Sequence, residues 1–195
     1  MTAPAPGDVP VLQTASSLVV LAADTYSSLQ ALPFGGGASA PAPLRDLLAT
    51  ALDSLATART DLSTATRRAG GRVQTGADPR YAPVVEQALP TVRGPGDVVG
   101  LALTLEDVLA QTLVRDVVDL STPDVRRTVA GHAAAAARRK AVLLTLQALL
   151  STGRSELVAS PPDLQALPPA AGTVGFPDVL FPTEKASPAT EGALR

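Results

Sequence analysis

Apolar residues recur at alternating steps of three and four along four long stretches of the chain, which is the spacing of one face of an α-helix. Each stretch therefore predicts an amphipathic helix, and series this regular pack helices side by side, nearly parallel or antiparallel. The four series, with their few polar members, are Leu12, Ala15, Val19, Ala22, Tyr26 and Leu29; Leu44, Leu48, Ala51, Leu55, Ala58, Leu62 and Ala65; Ala102, Glu106, Leu109, Leu113, Val117 and Leu120; and Val125, Val129, His132, Ala136, Arg139, Leu143, Leu146 and Leu150.

Capping and turn residues indicate where each predicted helix begins and ends: Asp, Thr or Pro at the start, and Gly or Pro after the end. The predicted bounds are Asp8 to about Leu32 for the first helix, residues 41–43 to Gly70 for the second, Asp97 (as N-cap) to about Leu120 for the third, and Thr122 to Gly153 for the fourth. A short helix is predicted at residues 78–89, between the second and third.

Short links join the first helix to the second and the third to the fourth, so we expect two antiparallel hairpins with one long crossover between them. The predicted fold is an all-α antiparallel four-helix bundle. Residues 1–8 form an N-terminal arm, residues 9–153 the bundle, and residues 154–195 an extended proline-rich tail that packs partly on it. Phe176, Leu180 and Phe181 are the predicted anchors of that tail.

The composition excludes several classes of function. The chain has no Cys and one His among 195 residues, which removes thiol chemistry, Cys-type zinc sites and His-rich metal sites. A net charge of −2 argues against a nucleic-acid partner. The uncharged stretch at residues 9–23 is too short to span a bilayer, and the start lacks the basic region of a signal peptide, so we predict a cytoplasmic protein.

Several segments of the chain resemble ferritin-like domains, and most of all the bacterial ferritin-like group that includes the desiccation-related proteins. They are residues 14–18 with 22–26, the glycines at 70–71, and residues 75–79, 102–107, 137–143 and 176–183, which together span most of residues 9–183. The resemblance implies a ferritin-like four-helix bundle.

Metal-binding members of that fold place an inward Glu on the first and third helices and an inward Glu-x-x-His on the second and fourth. The resemblance maps these six positions onto Val19, Leu55, Ala58, Glu106, Ala136 and Arg139. Only Glu106 keeps a ligand of the family. One carboxylate opposite a guanidinium does not hold a pair of metal ions, so we predict no bound metal and no cofactor.

Three polar residues on the apolar series form a predicted core polar cluster: Glu106, His132 and Arg139. A buried carboxylate needs a partner, and Arg139 lies level with Glu106 in the predicted hairpin, so we expect an ion pair. The alternative is that residues 138–140 form a solvated basic run. His132 is expected to be a neutral core histidine bonded to a hydroxyl such as that of Thr112, with a proton carrier or weak ligand as the alternative. Tyr26 is expected to be a core aromatic residue and not a redox tyrosine.

These observations predict a non-catalytic, metal-free protein that acts through its structure or through protein partners, with a homo-oligomer as one possible form. Val99, Val114 and Val118 are candidates for a self-association face, with core packing as the alternative. Two alternatives stay open. One is an iron- or manganese-binding protein or oxidoreductase with ligands elsewhere, and the other is a binder of a small apolar molecule among Val19, Leu55, Ala58 and Ala136.

Overall fold

The computed structural model of the protein describes residues 5–154 and 182–194. In these residues every regular element is a helix, so the all-α prediction is confirmed. The α-helices are α1 (Val9–Gln30), α2 (Ala42–Arg68), α3 (Ala82–Ala88), α4 (Pro95–Asp119) and α5 (Pro123–Thr152). Short 3-10 turns precede α1 at Pro6–Asp8 and follow α3 at Leu89–Thr91. No described helix is long and apolar enough to cross a membrane.

Proline sets the start of all five α-helices, because each has a proline at its first or second position. The first turn leaves its N–H groups without helical partners, so the missing N–H of proline costs nothing there, and its fixed φ already suits a helix. At the other end of α5, Gly153 adopts a left-handed conformation with φ of +72°. Glycine takes this conformation without the steric cost that a Cβ would add, which ends the helix.

Three predicted caps act differently from the prediction. Thr122 is the N-cap of α5, but its side chain makes no capping hydrogen bond to that helix. The N-cap of α4 is Gly94, and Asp97 lies three residues into the helix, where its Oδ2 accepts hydrogen bonds from the N–H groups of Arg93 (2.8 Å) and Gly94 (3.2 Å). Asp8 precedes α1 without capping it. Its carboxylate instead accepts bonds from the Ser121 N–H and hydroxyl and from the Thr122 hydroxyl, all at 2.8 Å. Asp8 therefore ties the start of α1 to the α4–α5 turn.

The predicted apolar series form the core. Nearly all of their members are buried, and the exceptions are the partly buried Ala65, Val117, His132, Arg139 and Leu150. The predicted self-association face is corrected: Val99 is 0% exposed and belongs to the core, Val114 packs partly against it, and only Val118, at 71% exposed, faces solvent. A residue on the buried side of α4 cannot line an open surface.

Contacts between side chains give the directions of the helices. Asp8, just before α1, meets Ser121, just after α4, and Tyr26 of α1 meets Glu106 of α4, so α1 and α4 are antiparallel. On α2, Ser54 and Asp61 meet Arg139 and His132 of α5, so these two helices are antiparallel as well.

The C-terminal tail is described only from Pro182 to Leu194, and the predicted anchors Phe176, Leu180 and Phe181 lie outside the described residues. Residues 182–194 have no regular secondary structure. They contact α1, α4 and the link that precedes α3.

Candidate functional site

A chain of polar side chains crosses the apolar core and joins all four long helices. Arg139 of α5 contacts Glu106 of α4, with 2.7 Å between Nε and Oε1. The same carboxylate oxygen accepts a hydrogen bond of 2.8 Å from the hydroxyl of Tyr26, on α1. At its other end the guanidinium donates from Nη1 to Oγ of Ser54, on α2, over 2.8 Å. The predicted ion pair between Glu106 and Arg139 is therefore present, and it is one link of a longer chain.

Glu106 is the centre of this chain, and its two oxygens differ. Oε1 accepts from both Arg139 and Tyr26, whereas Oε2 is buried with no hydrogen-bond partner among the described residues. Burial raises the pKa of Glu106 above its ordinary value, although Arg139 and Tyr26 oppose the rise by stabilising the charged form. The carboxylate therefore depends on Arg139 for its charge.

Tyr26 acts as a hydrogen-bond donor and is fully buried. Burial, followed by the nearby charge of Glu106, raises the pKa of Tyr26 well above its ordinary value. The hydroxyl therefore keeps its proton at neutral pH. Tyr26 lies in the core as expected, and it also fixes the orientation of the carboxylate.

We expect Tyr26→Phe to lower the free energy of unfolding by about 1.5–3 kcal/mol, the range for a hydrogen bond to a charged group. The change removes the hydroxyl bonded to Glu106 and keeps the ring. Urea unfolding at pH 7 measures it, and the same substitution in a Glu106→Gln background isolates the coupling of the pair. A loss below about 0.5 kcal/mol in the wild-type background would contradict this role.

The six positions that the ferritin-like resemblance assigns to metal ligands lie inside the protein. Val19, Leu55, Ala58 and Ala136 are all at most 4% exposed, and Glu106 and Arg139 form the ion pair. Hydrocarbon side chains supply no donor atoms to a cation. Among residues 5–154 and 182–194, no three His, Asp or Glu side chains are placed to hold a metal ion. The side chains at this site therefore do not fit a pair of iron or manganese ions.

The alternative prediction, that residues 138–140 form a solvated basic run, holds for Arg138 and not for the other two residues. Arg138 is exposed, Arg139 is turned inward to Glu106, and Nζ of Lys140 contacts Oδ1 of Asp107 at 2.5 Å. Three consecutive basic residues thus have three different environments, because successive side chains point in different directions around a helix.

His132 is not joined to Glu106 and Arg139. Its Nε2 lies 3.0 Å from Oδ2 of Asp61 on α2, and the side chain is 14% exposed. The prediction that His132 bonds to Thr112 is wrong. The hydroxyl of Thr112 accepts a hydrogen bond from the backbone N–H of Ser187 instead. The structure therefore brings together two of the three predicted cluster residues and pairs the third with a different helix.

Asp107 is a functional candidate that the sequence analysis missed. Its carboxylate contacts Nζ of Lys140 (2.5 Å) and Nζ of Lys185 (2.6 Å), and it accepts a 3.1 Å hydrogen bond from Gln111. Burial alone would raise the pKa of Asp107, but these three donors outweigh it and lower the pKa to about 2. The sequence does contain a signal for Asp107, namely two adjacent carboxylates in a predicted helix. Because Glu106 and Asp107 must point to different sides of α4, an inward Glu106 leaves Asp107 to find a separate partner.

Two further buried carboxylates lie outside the predicted set. Asp78 accepts hydrogen bonds from the hydroxyls of Ser17 and Ser187 and from the backbone of Arg80 and Tyr81. Asp116 is fully buried, and neither of its oxygens has a partner among the described residues. Burial raises the pKa of Asp116 well above its ordinary value. No sequence pattern separates Asp116 from a solvated residue near the end of a helix.

Comparisons of the chain with protein-family models, with curated proteins and with solved structures find no match. Any function proposed for the protein therefore rests on its own residues.

Proposed function

We propose that the four long helices form an antiparallel four-helix bundle with ferritin-like topology. The helix directions support this arrangement. Because α1 runs antiparallel to α4 and α2 antiparallel to α5, while each short link reverses the chain, α2 and α4 run in the same direction. The link between them, residues 69–94, then has to return along the length of the bundle. One such long crossover is the connection of ferritin-like folds.

Within that fold, the protein is a metal-free, non-catalytic member with a structural or protein-interaction role. The observation that carries this proposal is the contact of Arg139 with Glu106. A guanidinium neutralises the one remaining ligand carboxylate, at the level where ferritin-like proteins hold cations. The polar atoms of the site bond to one another across four helices, and this stabilises the packing of the helices.

The interaction part of the role is supported by the C-terminal residues. They lie across α1 and α4 as an irregular segment that contains turns, held by side chains of both helices. The fold thus already binds a stretch of polypeptide that is neither helix nor strand.

Metal loading tests the proposal. After aerobic incubation with ferrous iron, and separately with manganese, we expect the purified protein to retain no stoichiometric metal by mass spectrometry and to show no rapid iron oxidation. Two metal ions per chain with fast oxidation would overturn it.

A variant with the family's ligands restored is the matched control for topology. It keeps Glu106 and combines Val19→Glu, Leu55→Glu, Ala58→His, Ala136→Glu and Arg139→His. If the helices have ferritin-like topology, these six side chains converge and the variant binds two metal ions, with a gain in thermal stability on loading. If this variant is folded by circular dichroism and binds no metal, the proposed topology is wrong.

A further inference from the structure

The described C-terminal segment binds to the helices chiefly through its backbone. We call residues 185–194 the strap. At its start, the Lys185 N–H donates to Oε1 of Gln111 (2.9 Å), and the Lys185 carbonyl accepts from the hydroxyl of Tyr81 (2.5 Å). Two residues later, the Ser187 N–H donates to Oγ1 of Thr112 (2.9 Å). Side chains of the bundle thus bond to the backbone of the strap at these positions, while turns within the segment satisfy the N–H groups of Ala186, Glu191 and Ala193.

The second half of the strap is bound in the same manner by side chains of α1 and by Gln74, in the link before α3. The hydroxyl of Thr14 donates to the Ala189 carbonyl and accepts from the Gly192 N–H, each over 3.0 Å. The Gly192 carbonyl accepts from Nε2 of Gln74 at 2.5 Å, and the Leu194 N–H donates to Oε1 of Gln13 at 3.0 Å. Alternating donors and acceptors of the strap backbone thus meet complementary side-chain atoms along its length.

The surface under the strap, which we call the groove, is a polar stripe of α1, α4 and the link before α3. Gln13, Thr14, Ser17, Gln111 and Thr112 are all at most 3% exposed. A segment that only covered apolar surface would meet apolar side chains. Buried polar groups cost free energy unless they are hydrogen-bonded, so the groove is suited to the main chain of a peptide whose own N–H and C=O groups lack helix or sheet partners.

Three positions make the groove selective for the sequence of the strap. Nζ of Lys185 contacts Oδ2 of Asp107 at 2.6 Å, and the hydroxyl of Ser187 donates to Oδ2 of Asp78 at 2.8 Å. A Cβ on Gly192 would lie 2.2 Å from Oγ and 2.9 Å from Cβ of Ser17, which is too close. The groove therefore recognises a Lys, a Ser two residues later, and a Gly five residues after that.

We propose that this groove is a peptide-binding site for the strap of a second copy of the chain, as well as for its own. The proposal rests on the interaction role given above and is independent of metal content. The groove is selective for a sequence that every copy carries. Between Arg154 and Pro182 lie 27 residues, and a fully extended chain of that length spans at most about 100 Å, compared with about 37 Å for α4.

Binding within one chain is favoured at low concentration, because a tethered segment has an effective concentration in the millimolar range. The wild-type protein is therefore expected to be largely monomeric at micromolar concentration. Binding between chains becomes visible when binding within each chain is disabled, since the intact strap of one variant can then bind only the intact groove of the other.

Two full-length variants with complementary defects test the proposal. In the strap variant, Lys185→Glu places a negative charge against Asp107, and Gly192→Val introduces a clash with Ser17. In the groove variant, Thr14→Val and Thr112→Val remove the backbone-binding hydroxyls with little change of volume. We expect each variant alone to be monomeric and a 1:1 mixture to form a heterodimer, measured by light scattering coupled to size exclusion.

A labelled peptide with the sequence of residues 182–195 gives a second measurement, by fluorescence anisotropy. It should bind the strap variant and not the groove variant, and Gly192→Val in the peptide should weaken binding at least about tenfold. If the strap variant is folded by circular dichroism but neither forms the heterodimer nor binds the peptide, the proposal is wrong. If the strap variant does not fold, Lys185→Ala alone replaces it in both assays, with the same two outcomes. If the peptide binds but no heterodimer forms, the groove does not bind the strap of a second chain, and the proposal is wrong.

Discussion

Replacement of Arg139 by Met should lower the free energy of unfolding by about 3–5 kcal/mol at pH 7, the range for removal of one partner of a buried ion pair. Met keeps much of the aliphatic volume and removes the guanidinium. Glu106 is 0% exposed, so its charge would then lie in the core with only the hydroxyl of Tyr26 as a partner. The bond to Ser54 is lost at the same time. Urea unfolding followed by circular dichroism measures the effect.

The loss should depend on pH in a defined direction. The pKa of Glu106 is already raised above the ordinary value of 4.5, and without Arg139 it rises further. A carboxyl group with a raised pKa in the folded state contributes stability that is present below the unfolded value and is lost as pH rises through the folded value. The deficit of the Arg139→Met protein should therefore be largest at neutral pH and smallest near pH 4.

Two controls separate the loss of the ion pair from the loss of side-chain packing. Arg138→Met changes the exposed neighbour and should alter stability by less than about 0.5 kcal/mol. The double variant Arg139→Met with Glu106→Gln removes the buried charge as well and should recover most of the loss. If Arg139→Met costs less than about 1 kcal/mol at pH 7, the ion pair does not stabilise the core.

The helices could be predicted because their determinants are local. Apolar residues at steps of three and four place one face of each helix in the core, and prolines and glycines end the helices within a few residues of the predicted bounds. The pairing of Glu106 with Arg139 could also be predicted, since a short turn between α4 and α5 determines which residues lie level. In both cases, residues near in sequence determine the outcome.

Contacts between distant parts of the chain could not be predicted in this way. His132 meets Asp61 because of the relative register of α2 and α5, which no short link determines. Lys185 reaches Asp107 from the tail, and Ser187 takes the hydroxyl of Thr112 that was expected to bond to His132. A polar stripe on α1 and α4 is indistinguishable in sequence from a solvated face until the segment that covers it is known.

Asp116 is the second residue at which a single substitution should change stability strongly, here in the favourable direction. Its side chain is fully buried, and both oxygens lack partners among the residues that the structure describes. An unsatisfied buried polar group costs about 1–3 kcal/mol, and a charged one costs more. We therefore expect Asp116→Asn, which removes the charge at nearly constant volume, to raise the free energy of unfolding at pH 7 by about 1–3 kcal/mol.

The pH dependence identifies the carboxyl group as the cause. Burial, with the nearby charge of Asp119, raises the pKa of Asp116 well above 3.8, so its contribution to stability is present below that value and is lost as pH rises. The advantage of Asp116→Asn should therefore be greatest at neutral pH and should vanish as pH approaches 3.8. Asp53→Asn, at an exposed position of α2, is the matched control and should change stability by less than about 0.5 kcal/mol. If Asp116→Asn is less stable than the wild type at pH 7, a favourable contact holds the carboxylate and the assignment of an unpaired buried acid is wrong.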